Sequence, residues 1–316
     1  MIGCSPPGPA RAADPAYGPA STVCTVSDPR LAESSGLVVD GSRFVTVNDG
    51  GESLEVFVLD RSCKVTSVIT AAVDPYDVED LARAADGTLW LADTGDNDRD
   101  RDTVALHALR EDGQAVLFRF IYPDGAHDAE ALLLDEAGRP FILTKEPLGQ
   151  AGIYTPSAPP SPSRVTSLER VGSLVFAATG TPGGPLGEVG QVLITGAALS
   201  SDGALAVVRT YTDAYLYEVT DGDVVAALAA SPVRVALPPA PQGEAIAFDG
   251  SDLVVTSEGM PFDVTLVPAV APTAAATADA SIADVAEGNS TGVTLAIAAV
   301  VAALLVGGYS VLRRRR

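Results

Sequence analysis

The sequence predicts an all-β chain folded as a β-propeller. Three observations lead there: five copies of a two-strand pattern, a repeat period near fifty residues, and no sustained helical periodicity before residue 292. The copies run from Glu33 to Asp49, Glu79 to Asp93, Glu130 to Lys145, Thr195 to Arg209 and Glu244 to Glu258. Each reads as a polar or acidic residue, an apolar strand, an Asp/Gly turn, a second strand and a polar end. Their starts are 46, 51, 65 and 49 residues apart, the period of a four-stranded blade.

Further strands complete each unit. Residues 56–60 and 64–70 supply the third and fourth strands of the first, and 103–109 and 115–122 those of the second. Residues 151–155 and 165–171 serve the third, and 215–219 and 233–237 the fourth. The third unit is long because it carries a Pro/Ser loop (156–163) and a Gly/Pro loop (180–190). The latter lacks the spacing and the Lys-Ser/Thr of a phosphate cradle and reads as a flexible loop. The fifth unit stops near Pro268 after two or three strands. Residues 21–32 can supply its missing outer strand and close the ring, which removes sheet edges. Five blades follow from this count; six follow if Leu174–Ala178 belongs to a degenerate extra blade.

The flanks read differently. Residues 1–21 are a Pro/Ala/Gly-rich linker or the remnant of a signal segment, the propeller takes 22–267, and 268–290 is an Ala/Thr/Pro/Asp-rich stalk. Residues 291–312 are expected to form one transmembrane helix: the run from Gly292 to Leu312 has no charge and is long enough to cross a bilayer. Arg313 to Arg316 follow as a cytoplasmic basic tail, so the propeller is expected outside the cell, on a single-pass anchor. Met1-Ile-Gly-Cys4 resembles the end of a lipoprotein cleavage box, and a signal segment is expected ahead of it.

The formal charge is −21, and without the four terminal arginines it is −25. Such a surface repels nucleic acid and attracts cations, so no nucleic-acid partner is expected. The expected partners are the membrane, through the C-terminal helix, and a small ligand or surface protein; the expected state is a monomer. Cys24 and Cys63 flank the first repeat and are the natural disulfide pair in an oxidising compartment.

Antiparallel pairing puts the two ends of every repeat at one side of its blade. Around one channel mouth this gathers Glu33 with Asp49, Glu79 with Asp93, Glu130 with Lys145, Thr195 with Arg209, and Glu244 with Glu258, with a slip of one residue allowed. Converging carboxylates repel unless protons or a cation neutralise them, and oxygen-only ligands suit Ca²⁺ or Mg²⁺. The candidate metal ligands are therefore Glu33, Asp49, Glu79, Asp93, Asp96, Glu130, Glu244 and Glu258, with Lys145 and Arg209 opposite them to hold an anionic ligand. The plainer reading is a solvated, locally paired channel. Asp93 to Asp102 is rich in aspartate but fails the EF-hand pattern, since Arg101 and His107 stand where Gly and Glu are required. His127, beside Glu130, is the candidate general acid/base with Glu130; His107 and Trp90 sit on apolar strands and read as core. No nucleophile elbow or Cys/His pair is present.

Glu33-Ser-Ser-Gly-Leu37, Val78-Glu-Asp-Leu81, His127-Asp-Ala-Glu-Ala-Leu132 and Gln242–Phe248 resemble bacterial secreted propellers of the esterase-like phytase and SdiA-regulated (NHL-like) groups. For the phytase-like group the resemblance implies calcium-dependent phosphomonoester hydrolysis. Glu79, Asp93, Glu130 and Glu244 would then hold metal, and Lys145 and Arg209 phosphate. The clustered basic residues of a phytate pocket are missing, so the reading is a binding propeller first and a metal-dependent phosphoesterase second.

Overall fold

A computed structural model of the protein describes residues 16–49, 51–147 and 150–270. It is all-β, with five four-stranded antiparallel units. Blade 1 comprises Ser34–Asp40, Arg43–Asn48, Leu54–Asp60 and Val65–Ala71; blade 2, Val78–Arg83, Leu89–Asp93, Val104–Leu109 and Ala115–Ile121. Blade 3 comprises Ala129–Leu134, Pro140–Thr144, Gln150–Pro156 and Thr166–Val175; blade 4, Ile194–Leu199, Leu205–Thr210, Asp213–Glu218 and Val233–Ala236. Blade 5 takes Gly243–Asp249, Asp252–Ser257 and Phe262–Val267, and its outer strand is Ser21–Val26 from the other end of the propeller. The ring therefore closes as expected. Leu174 and Val175 extend the fourth strand of blade 3 instead of starting another blade.

The first strand of each blade packs against the first strand of the next, and that of blade 5 returns to blade 1. This ring of inner strands makes the molecule a β-propeller. Alternating side chains fill the gaps between consecutive sheets. Leu37, Phe44, Phe57 and Leu59 of blade 1 meet Ala245, Val254 and Phe262 of blade 5, and equivalent apolar layers lie at the other four junctions. Each buried Leu, Val or Phe among them contributes about 1.5–3 kcal/mol. Cys24 and Cys63 form a disulfide that ties the closing strand to blade 1, with Cα atoms 5.6 Å apart. Trp90 is half-buried and stacks on Phe118 at 5.4 Å between ring centres.

One helix of five residues, Val224–Leu228, is capped by Asp223, whose carboxylate accepts from the Ala226 N–H at 2.9 Å. No helix among the described residues is long and apolar enough to cross a membrane. The expected linker, stalk, transmembrane helix and tail lie, apart from a few flanking residues, outside the described residues, as does Cys4.

Every inner strand carries a bulge near the same end: between Ser34 and Leu37, Val78 and Asp80, Ala129 and Ala131, Ile194 and Gly196, and Gly243 and Ile246. A bulge frees one residue from the ladder and re-aims it. The backbone groups that face the channel are then satisfied by side chains. The Thr195 hydroxyl donates to Glu244 O at 3.0 Å, and the Ser35 hydroxyl donates to Glu79 O. Asp80, 1% exposed, accepts from the N–H groups of Leu81 at 2.7 Å, Leu132 at 2.8 Å and Ala197 at 3.3 Å, joining blades 2, 3 and 4. Its counterparts are Gly36, Ala131, Gly196 and Ala245, because one side chain already fills the middle. At Gly36 a Cβ would collide with the Leu81 backbone, so the close approach of blades 1 and 2 requires glycine.

A candidate cation site at the channel mouth

The bulges bring a group of carboxylates together. Oxygens of Asp49, Asp77 and Glu79 lie within 4.8 Å of one another, and so do those of Glu79, Asp128 and Glu130. Glu79 belongs to both sets. Ligands on opposite sides of a Ca²⁺ at about 2.4 Å are separated by about 4.8 Å, so either set fits around one such ion.

The backbone explains the convergence. Asp77 and Asp128 stand two residues before Glu79 and Glu130, and residues two apart on an extended chain share a side. Asp49 follows the second strand of blade 1, with its N–H on Glu33 O at 2.8 Å. The loop 93–102 closes behind the group. Gly95 N–H donates to Asp77 O at 3.2 Å, and Asp96 N–H donates to the Asp128 carboxylate at 2.9 Å. A Cβ on Gly95 would collide with the carboxylates of both Glu79 and Asp77, so this backbone forms the wall of the site.

The charges are poorly compensated. Glu79, 6% exposed, receives no hydrogen bond at its carboxylate among the described residues. Burial first, and then Glu130, Asp49 and Asp77, drive its pKa well above the usual range. Burial and contact with Asp49 push Asp77 up to about 9; burial and the charges of Glu258, Glu130 and Glu33 push Asp49 to about 6. Burial likewise raises Asp128, takes Glu130 to about 8 and Glu258 to about 7, and drives Glu244 well above its ordinary value. Lys145 is the cation paired directly with a member of the group. Its ammonium pairs with Glu130 and sits 5.1 Å from the centre of the Tyr211 ring. Burial opposes its charge, but Glu130, Tyr211 and Glu244 outweigh that and hold it protonated.

Other residues expected at the site do different work. Asp93 accepts from the N–H groups of Tyr76 and Asp77, each at 3.1 Å, from Arg101 at 2.9 Å, and contacts His107 at 3.0 Å. Burial favours its neutral form, yet His107, Arg101 and those backbone donors hold its pKa below the usual range. Asp93 therefore positions the Asp77 backbone. Asp96 folds its own loop, accepting from Asp100 and Arg101 N–H at 3.0 Å. His107 is buried, as expected. In blade 1 the residue in register with Glu79 is Ser35, and Glu33 lies exposed at the edge. Glu258 is held by Gln242. Arg209 turns into the junction of blades 4 and 5, where its guanidinium donates to the carbonyls of Ala245 and Thr256 and the Glu244 charge acts on it. His127 lies between Glu146 at 3.2 Å and Asp124 at 3.1 Å, and the Glu146 contact raises its pKa.

No family model matches the chain, and no curated protein matches it. Solved structures with a similar course include the PQQ-bound aldose sugar dehydrogenase of Streptomyces coelicolor, at 11% identity and a TM-score of 0.44, covering 82% of this chain and 99% of that one. A gluconolactonase of Xanthomonas campestris matches at 15% identity and 0.42, covering 76% and 73%. Virginiamycin B lyase of Staphylococcus aureus matches at 10% and 0.38, covering 75% and 67%. These likenesses are weak, and the propeller rests on the strand order and the ring of inner strands.

Proposed function

We propose that the protein is an extracytoplasmic, membrane-anchored binding propeller. Its channel mouth holds a calcium ion, and a ligand or partner docks through that ion. Glu79 carries the reading: it is buried, belongs to both carboxylate sets and, among the described residues, accepts no hydrogen bond at its carboxylate. Such a group needs a proton or a cation, and carboxylate oxygens within 4.8 Å of one another suit a hard cation such as Ca²⁺. The close approach of the Gly95 backbone supports the same conclusion, because it packs directly against the carboxylates of Glu79 and Asp77. The charge-free run 292–312 followed by four arginines supports the anchor.

Thermal unfolding with EDTA and with millimolar Ca²⁺ tests this. Calcium raises the midpoint of the wild type and leaves Glu79→Gln unmoved. Equal midpoints with and without calcium would remove the cation from the account.

Lys145 favours a second reading, metal-dependent phosphoester hydrolysis. A fixed ammonium beside a bound cation can take up phosphate charge. Binding stays first because His127, the nearby candidate base, is tied between two carboxylates. Calcium-dependent turnover of p-nitrophenyl phosphate that disappears in Lys145→Met would reverse that order.

A further inference from the structure

The rim of the channel mouth carries Tyr76, the residue before Asp77. It is 64% exposed, whereas every other Trp, Tyr and Phe among the described residues is buried or half-buried. Its ring is backed on one side: the Arg101 guanidinium lies over it, 4.3 Å from the ring centre. Arg101 is itself fixed, with Nη1 donating to Gly95 O at 2.6 Å and Nη2 to the Asp93 carboxylate at 2.9 Å. The Tyr76 N–H donates to the other oxygen of Asp93 at 3.1 Å. One carboxylate therefore holds both the backbone of Tyr76 and the guanidinium beneath its ring, and the opposite ring face is left to solvent. Gly95, which anchors Arg101, also packs its backbone against the carboxylates of Asp77 and Glu79, so the ring and the carboxylates share one support.

A ring held in this way loses little conformational entropy when a ligand stacks on it, because a tyrosine has only two side-chain torsions to fix. What stacks is selected by the ion beside it, and to that extent the inference rests on the calcium reading above. The carboxylate set that includes Asp77 is completed by Asp49 and Glu79. Lys145 pairs with Glu130, outside that set. Three carboxylates exceed the charge of one Ca²⁺, in a chain of formal charge −21, so a further anion is repelled there. Neutral oxygens can instead complete the six to eight that Ca²⁺ takes. Two adjacent hydroxyls on a sugar supply a pair of them. The C–H bonds on one face of a pyranose are drawn to the negative face of an aromatic ring. We propose that the channel mouth binds a neutral carbohydrate, with two adjacent hydroxyls on the calcium ion and an apolar sugar face on the open face of Tyr76.

Saturation-transfer NMR of the full chain in millimolar Ca²⁺ tests this with methyl mannoside, methyl glucoside and methyl galactoside, and with tetrahydropyran as the same ring without hydroxyls. At least one sugar receives magnetisation, most strongly on one ring face; tetrahydropyran receives none, and EDTA abolishes the signal. Tyr76→Phe keeps the platform and the signal, and Tyr76→Ala weakens sugar binding roughly tenfold. Transfer to none of the three sugars, equal transfer to tetrahydropyran, or transfer that survives EDTA overturns the assignment, as does unchanged affinity in Tyr76→Ala. Calorimetric titration with Ca²⁺ alone separates this inference from the reading beneath it. Calcium binding without sugar binding removes the carbohydrate only, and no calcium binding removes both.

Discussion

Removing calcium should make the protein lose stability as the pH rises, and Asp77 shows how steeply. Its carboxyl is pushed from 3.8 up to about 9 by burial and by Asp49. Below pH 4 the folded and unfolded chains both hold this proton, and the stability it allows is fully present. Above that the unfolded chain releases the proton while the folded chain keeps it, so stability falls until the folded pKa is passed. Each retained proton lowers stability by about 1.4 kcal/mol per pH unit, so Asp77 alone removes up to about 4 kcal/mol between pH 6 and pH 9. Glu130 and Asp80, both raised to about 8, and Glu258, raised to about 7, add to the slope in the same window. Urea unfolding in EDTA at pH 6, 7.5 and 9 measures it. Asp77→Asn should flatten the curve, and calcium should flatten it too, because the cation favours the ionised carboxylates. A wild-type stability that is constant over this range in EDTA would refute the reasoning, as would an Asp77→Asn slope equal to the wild type.

Three further outcomes are expected. Replacing Cys24 and Cys63 by serine opens a crosslink spanning 39 residues and should cost about 4 kcal/mol, read as a lower urea midpoint. Gly95→Ala should leave the fold intact but push Glu79 and Asp77 aside, costing about 2 kcal/mol of calcium affinity, some thirtyfold, by titration calorimetry. Asp80→Ala strands three backbone N–H groups of three blades and should destabilise the protein by about 3 kcal/mol or more, with calcium affinity in the folded fraction unchanged.

The fold was legible because propeller hairpins repeat a local pattern. Asp40-Gly41, Asp86-Gly87, Asp202-Gly203 and Asp249-Gly250 mark turns between apolar strands, and Ser21–Val26 remained to pair with Phe262–Val267. Glu79, Glu130 and Glu244 were legible as inward-facing for the same reason. The bulges were not, since their register depends on contacts with the neighbouring blade. Aligning on Glu33 therefore missed Ser35 as the true counterpart of Glu79. Asp77 and Asp128 were visible as the repeated Asp-x-Glu of Asp77-Val78-Glu79 and Asp128-Ala129-Glu130, but the repeat boundary had been drawn one step inside them. The direction of Arg209 could not be read from spacing, because its side chain leaves its own blade for the carbonyls of Ala245 and Thr256.

The most direct measurement is anomalous diffraction from crystals of the protein soaked in Mn²⁺, a divalent ion that accepts the same oxygen ligands. A bound ion gives a peak bounded by Glu79 and the carboxylates of Asp49 and Asp77, or of Asp128 and Glu130. No peak there, with Glu79 still buried beside its neighbours, would mean that protons alone neutralise the mouth and would contradict the cation site.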